Sequence, residues 1–284
     1  MCRARIRGAS TDTGMRGKRY GNGEKRENEK VQSGICARVH GGAALCTKFP
    51  EWKAALRRQK GEIMKKNLTE IVFILDRSGS MSGLEADTVG GFGSMLKEQK
   101  QKEGEALVST VLFNQESQVI HDRVDIRRVE PMTEQEYRVG GTTALLDAVG
   151  GAVHHIGNIH KYARQEDVPE HTLFVITTDG MENASRYYTA DRVREMIERQ
   201  KSRYGWEFLF LGANIDAVKT AGSFGIDQDH AVNYHCDREG TRLNFQVLGQ
   251  AVSSVRGAAP LGSAWKESIE KDYKKRKRGL FERR

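Results

Sequence analysis

Three short segments of this 284-residue chain carry oxygen-bearing side chains of the kind that bind a hard metal ion. They are Asp76-Arg77-Ser78-Gly79-Ser80, Gly140-Gly141-Thr142-Thr143 and Thr177-Thr178-Asp179-Gly180. Their carboxylates and hydroxyls, with no Cys or His among them, suit Mg²⁺, Mn²⁺ or Ca²⁺ and disfavour zinc. Because hydroxyls are neutral ligands, an ion held by them stays partly positive and can accept an acidic group from another molecule.

Each segment lies beside an element that can hold it in place. Ile71–Leu75 is continuously apolar, as in a strand buried on both faces, and it ends directly before Asp76. A second such strand, 172–177, ends before Asp179, and 140–143 opens a helix. Ligands of parallel sheets bind outside the carboxyl ends of the strands, so we expect the three segments to converge at that edge.

The order of the predicted elements indicates an α/β fold. Strand patterns occupy 71–75, 106–113, 118–126, 172–177, 206–211 and 231–234, and helical patterns occupy 86–101, 143–160, 190–204, 215–224 and 241–255. The strands 106–113 and 118–126 are close enough to pair as a hairpin, which gives one antiparallel edge strand. We therefore predict a doubly wound, mostly parallel, Rossmann-like sheet with helices on both faces.

The order and setting of the three segments resemble the metal-ion-dependent adhesion site of the von Willebrand factor type A (VWA) family. The D-x-S-x-S motif is matched in full at Asp76–Ser80, the G-G-T loop resembles Gly140–Thr143, and the T-D-G loop is matched at Thr178–Gly180. The resemblance spans about residues 68–260 and implies a VWA-like fold.

For the metal centre, the resemblance implies Mg²⁺ as the cofactor, with Mn²⁺ or Ca²⁺ as alternatives. The implied ligands are Ser78, Ser80 and Thr143, which bind directly, and Asp76 and Asp179, which bind directly or through water. Alignment of the helix that follows makes Thr143 the better candidate in its loop and Thr142 the second one.

In function, the resemblance implies a non-catalytic domain that binds an Asp or Glu of a partner protein. Intracellular bacterial members of the family are often partners of ATPases or chaperone-like machines, and we expect a partner of that kind. The continuation Met181-Glu182-Asn183 also resembles bacterial members, but the sequence assigns it no role.

Two other functions fit part of the same pattern. A phosphatase of the haloacid dehalogenase type also places an Asp after an apolar strand, but it needs a second carboxylate where this chain has Ser78. A scaffold that is stabilised by the metal and has no open coordination position would keep its binding activity when the metal is removed.

The two ends of the chain differ from its middle in charge. Residues 1–63 carry 15 Lys and Arg against 6 Asp and Glu, residues 271–284 carry 8 against 2, and the middle carries 23 against 30. We predict a domain at 65–260, a basic helical tail at 261–284, and at 1–63 either a disordered extension or a stretch before the true start at Met64. The acidic middle argues against nucleic-acid binding except through the basic tail.

Composition also bears on the compartment. The longest apolar run has five residues, against the roughly 20 of a membrane-spanning helix. The N-terminus lacks the apolar stretch of a secretory signal, and none of the four Cys residues forms a C-x-x-C pair. We therefore expect a cytoplasmic protein without a membrane span.

Overall fold

The structure is a computed structural model that describes residues 65–281, with side chains described as far as Lys277. The predicted extension at 1–63 and the candidate start at Met64 lie outside the described residues, and they remain predictions. The last residues of the predicted tail, 282–284, also lie outside them.

The described residues build a sheet of six strands. These are β1 (Lys65–Asp76), β2 (Glu105–Phe113), β3 (Ser117–Asp125), β4 (Pro169–Thr178), β5 (Glu207–Gly212) and β6 (Ala231–Asn233). Their order is β3-β2-β1-β4-β5-β6, and neighbouring strands are parallel except β2 and β3, which pair antiparallel at one edge. The predicted fold class, a mostly parallel α/β sheet with one antiparallel edge strand, is confirmed.

Helices cover both faces of this sheet. They are α1 (Glu85–Lys100), α2 (Leu145–Tyr162), α3 (Ala190–Tyr204), α4 (Ala217–Ser223), α5 (Arg238–Arg256) and α6 (Glu267–Phe281). The core on one face joins the sheet to α1 and α5, and the core on the other face joins it to α2, α3 and α4.

The continuous apolar run in β1 follows from this double cover. Alternate side chains of a strand point to opposite faces, so Phe73 packs in one core and Ile74 in the other. Phe73 meets Phe92 of α1 edge to face, with ring centroids 5.1 Å apart. Because each face of β1 packs against a core, the strand needs apolar residues on both faces. The same packing fixes the strand as far as Asp76 at its carboxyl end.

Several element ends differ from the predicted ones because acidic side chains cap them. The predicted strand 118–126 ends at Asp125, whose side chain accepts a hydrogen bond from the Arg127 amide and starts a short 3-10 turn. The predicted helix 241–255 begins at Arg238 because Asp237 accepts from the Gly240 amide.

The C-terminal segment is anchored to the sheet edge at β6. The indole of Trp265 donates to the carbonyl of Asp229 at 2.9 Å, and Lys266 Nζ donates to the carbonyls of Gln228 and Ala231 at 2.6 and 2.9 Å. Ile269, in the first turn of α6, is buried. Within residues 65–281, no helix has the length and apolar character that crossing a membrane requires.

Candidate metal centre

The three oxygen-rich segments meet at the carboxyl edge of the sheet. β1 and β4 are neighbours in register, with Leu75 opposite Thr177, so Asp76 and Asp179 leave the sheet side by side. The side chains at this edge are almost fully covered, with relative exposures of 1% for Asp76, Ser78 and Asp179 and 4% for Thr143. Ser80, in contrast, is exposed and marks the solvent side of the cluster.

Hydroxyl and carboxylate oxygens from all three segments share one small space. Ser78 Oγ and Ser80 Oγ are 3.0 Å apart, and Ser80 Oγ donates to Asp179 Oδ1 at 2.5 Å. A Cβ placed on Gly180 would lie 3.3 Å from Thr143 Oγ1 and 3.5 Å from Ser80 Oγ. The space between these oxygens therefore depends on the absence of a side chain at Gly180.

The structure distinguishes the two candidate threonines. Thr143 is buried with its hydroxyl beside Gly180, whereas Thr142 is exposed. The structure thus brings the Thr143 hydroxyl to this cluster, and its role as the ligand from this loop remains a prediction.

Asp76 is oriented by hydrogen bonds on both carboxylate oxygens. Oδ1 accepts from the Ser78 amide at 2.7 Å, and Oδ2 accepts from Thr178 Oγ1 at 2.6 Å. Burial raises the pKa of Asp76, the donors Thr178 and Ser78 oppose that rise, and the negative charge of Asp179 adds to it. A cation between the two carboxylates would offset the cost of burying them together.

Backbone hydrogen bonds join the first two loops into one unit. The Gly79 amide donates to the Gly141 carbonyl at 3.0 Å, and the Gly140 amide donates to the Arg77 carbonyl at 2.9 Å. Gly141 has φ +78°, which an L side chain rarely adopts. The glycines of these motifs therefore serve the close approach of the two loops.

The loop after Asp179 contains residues whose role the sequence did not reveal. Asn183 accepts from the Thr143 amide at 2.9 Å and donates its own amide to the Thr143 carbonyl at 3.0 Å. Glu182 accepts from the Leu146 amide at 2.8 Å, in the first turn of α2. A carboxylate at a helix N-terminus satisfies free amides and interacts well with the helix dipole, but Glu182 lies 36 residues from Leu146 in the chain, so no local pattern reveals this contact.

Three further side chains support the centre. Tyr137 is fully buried and its hydroxyl donates to the Asp76 carbonyl. Cys236 Sγ donates to Asp179 Oδ2 at 3.3 Å, and burial, with the nearby charge of Asp179, raises the pKa of this thiol. Asp147 in α2 accepts from the amides of residues 186–188. In all three cases the contact joins residues that are 39 or more positions apart in the chain, so no local pattern could identify these roles.

The chemistry of this donor set fits a hard divalent cation. Hydroxyl and carboxylate oxygens surround the space beside Gly180, and the donors to the two carboxylates are hydroxyls, amides and one thiol rather than cations. Within residues 65–281, no three His, Cys, Asp or Glu side chains cluster closely enough to form a metal site by themselves. A site of the nitrogen- and sulfur-rich zinc type is thus absent from the described part of the chain.

Comparison with known proteins gives matches among solved structures. No protein-family model matches the sequence, and no curated protein matches it. The matching structures include proximal thread matrix protein 1 from the mussel byssus (12% identity, TM-score 0.44, 66% of this chain and 46% of that one). They also include a von Willebrand factor type A protein from Catenulispora acidiphila (12% identity, TM-score 0.46, 66% of this chain and 42% of that one). A third is the vWF domain of the pilus tip protein Mfa5 from Porphyromonas gingivalis (10% identity, TM-score 0.48, 65% of this chain and 94% of that one).

The chain thus spans less than half the length of the first two of these structures. All three TM-scores lie below 0.5, so the fold assignment rests on the strand order and on the loops at the carboxyl edge of the sheet.

Proposed function

We propose that this chain contains a VWA-type domain that binds an acidic residue of a partner protein through a divalent cation. The ion is Mg²⁺, with Mn²⁺ or Ca²⁺ as substitutes, and its ligands are Asp76, Ser78, Ser80, Thr143 and Asp179. The observation that carries this proposal is the convergence of Thr143 Oγ1, Ser80 Oγ and the Asp179 carboxylate beside Gly180.

Neutral hydroxyls and restrained carboxylates suit such a role. When bound, the ion would supply a coordination position for a carboxylate from outside the chain. The protein residues orient the ligands: Thr178 and the Ser78 amide fix Asp76, and Asn183 fixes the backbone of Thr143. The carboxylates are buried and Ser80 is exposed, so an incoming group approaches on the hydroxyl side.

The surroundings of the centre favour a protein over a small molecule as the partner. Met181, directly after the T-D-G loop, is 73% exposed, and Tyr187 in the same loop region is 85% exposed. Exposed large side chains of this kind are enriched at protein interfaces. The partner is an ATPase or a chaperone-like machine of the cytoplasm that offers an Asp or Glu to the ion.

Metal binding is tested first with Mn²⁺, which is detected by electron paramagnetic resonance. Ser78→Ala removes one hydroxyl ligand and is expected to weaken Mn²⁺ binding by at least about tenfold. Ser202→Ala, which changes an exposed serine in α3, is the matched control. Equal Mn²⁺ affinity in the wild type, Ser78→Ala and Ser202→Ala would exclude Ser78 as a ligand of the ion.

Partner capture is tested by pull-down from the native host with Mg²⁺ or with EDTA. We expect captured proteins to be lost in EDTA and in Ser78→Ala. Capture that survives both changes contradicts the proposal, and a metal-dependent melting shift in that case would identify the scaffold. The phosphatase alternative lacks its second carboxylate, since Ser78 is buried with its hydroxyl against Ser80.

A further inference from the structure

A groove of about 610 Å³ lies between α2 and α3, away from the metal centre. Val153 and Gly157 of α2 and Trp206, just before β5, line its inner part. None of the proposed metal ligands is among its lining residues. Its volume falls within the range of roughly 300–1,000 Å³ that is typical of small-molecule sites.

The charged side chains around the groove are cationic. Lys161 at the end of α2 and Arg192 and Arg199 on α3 contribute to its lining, and no Asp or Glu is among the described lining residues. Arg192 pairs with Glu195 at 3.1 Å, but both side chains are more than 60% exposed, and exposed pairs contribute little. No hydrogen-bond or ion-pair partner for the Arg199 guanidinium is found within residues 65–277.

The inner wall of the groove is apolar and firmly packed. Trp206 is 4% exposed and stacks on Phe174, with ring centroids 5.2 Å apart. The ring of His160 meets Trp206 edge to face at 5.2 Å, and His160 Nε2 lies 2.6 Å from Oε2 of the fully buried Glu70. These contacts hold both rings in place without a ligand, so the wall is preformed.

Gly157 gives the groove part of its depth. A Cβ at this position would lie 3.0 Å from Gln200 Nε2 and 3.9 Å from the Trp206 ring, so any larger side chain would project toward the opposite wall. Gly151, on the same helix, has no neighbour within 4 Å of such a Cβ and does not line the groove. The two positions form a matched pair for testing whether the groove is a binding site.

We propose that this groove binds a small organic anion that has a flat apolar body. The cationic side chains Lys161, Arg192 and Arg199 hold the anionic group, and the apolar body lies along Val153, Gly157 and Trp206. The observations that carry this assignment are the single sign of charge among the charged lining residues, the unpaired Arg199 and the preformed aromatic wall. The proposal is independent of the metal centre.

The test uses two fluorescent probes that share the same rings. 8-Anilinonaphthalene-1-sulfonate is anionic, and N-phenyl-1-naphthylamine is its neutral counterpart. We expect the full-length chain to bind the anionic probe at one saturable site and the neutral probe more weakly. The double variant Arg192→Gln/Arg199→Gln loses two charge-assisted contacts, so its affinity for the anion falls at least about tenfold. Arg194→Gln, which changes an exposed arginine outside the groove, is expected to leave the affinity for the anionic probe unchanged.

Blocking the groove provides a test that does not depend on charge. Gly157→Leu is expected to abolish saturable binding of both probes, while Gly151→Leu leaves it intact. Circular dichroism melting curves establish that both variants fold. Absence of saturable binding in the wild type, or equal binding in the Gly157→Leu and Gly151→Leu variants, would overturn the proposal. Equal affinity of the wild type and the double arginine variant for the anion would overturn the assigned anion contacts.

Discussion

At the scale of single residues, the metal centre combines two buried carboxylates with neutral donors. Asp76 accepts from Thr178 and from the Ser78 amide, and Asp179 accepts from Ser80 and Cys236. Each donor fixes a carboxylate without neutralising it. The remaining negative charge is therefore available to a cation, which is what the proposed binding of a divalent ion requires.

The space beside Gly180 gives a prediction about ion binding. In Gly180→Ala the new Cβ lies 3.3 Å from Thr143 Oγ1 and 3.5 Å from Ser80 Oγ, so it separates the two hydroxyls that the ion needs. We expect Mn²⁺ affinity to fall by about tenfold, with little change in the melting temperature. Gly93→Ala is the control, because a Cβ there meets open space. Paramagnetic resonance titrations measure both affinities, and equal values would contradict the role of this space.

The cap that ends β3 gives a prediction about pH. Hydrogen bonds from the side chain and amide of Arg127 lower the pKa of Asp125 to about 2. This carboxyl therefore favours the folded state above its unfolded pKa, and the contribution is lost as the pH falls toward 2. NMR titration of the Asp125 carboxyl should give a pKa near that value. Arg127→Ala should raise the pKa toward 3.8, and an unchanged pKa would show that the Arg127 side chain is not its cause.

At the scale of elements, the sequence predicted most of the fold because its signals are local. Apolar runs such as Ile71–Leu75 and the periodic residues of 190–204 identify strands and helices without knowledge of their neighbours. The contacts of Asn183 with Thr143, 40 residues apart, exist only once β4 and α2 are in place. The role of the buried Glu70 was missed for a related reason, since its partners come from distant elements.

Glu70 joins three elements through its buried carboxyl group. It lies in β1 and is 0% exposed, its Oε1 accepts from Arg123 Nε of β3 at 2.7 Å, and its Oε2 lies 2.6 Å from His160 Nε2 of α2. A buried acidic group that loses a partner is costly, typically by about 3–5 kcal/mol. The cluster therefore ties the antiparallel edge strand and a helix to the middle of the sheet.

Removing Arg123 tests this cluster. We expect Arg123→Ala to lower the free energy of unfolding by about 2–3 kcal/mol, below the usual range because Arg123 is partly exposed and His160 remains. Urea denaturation measures the change. Arg164→Ala, which breaks an exposed pair with Asp167, should cost less than about 1 kcal/mol.

A double variant isolates the buried charge. Glu70→Gln combined with Arg123→Ala should be less destabilised than the sum of the two single variants, because the second change removes the group that the first one leaves unpaired. Strict additivity would show that the two side chains do not stabilise the fold through each other.

At the scale of the whole molecule, α2 connects the two proposed sites. Its first turn is held by Glu182 beside the metal centre, and Gly157 near its other end lines the groove. In these two proposals the ends of one helix serve different chemistry: oxygen ligands for a cation lie at one end, and a groove with cationic lining residues lies along the other. Both sites lie on elements fixed by the same core.

Metal binding should stabilise the whole domain. A ligand that binds only the folded state raises the free energy of unfolding by about 2.7 kcal/mol at 100 times its Kd. For a domain of this size, the melting temperature rises by roughly 2–4 °C per kcal/mol. We therefore expect Mg²⁺ at that concentration to raise it by several degrees in the wild type and by at most about half as much in Ser78→Ala, whose affinity is at least about tenfold lower. Differential scanning calorimetry with EDTA as the baseline measures both shifts.

The same measurement separates an open site from a closed one. If the ion keeps a position for an outside carboxylate, a peptide with an accessible Asp should raise the melting temperature further in Mg²⁺ and have no effect in EDTA. The same peptide with Asn in place of Asp is the control, since an amide is a weaker ligand for a hard cation. In the contrary outcome, Mg²⁺ raises the melting temperature while neither an acidic peptide nor a captured partner raises it further. That result would mean that the ion stabilises the loops but does not bind an outside carboxylate.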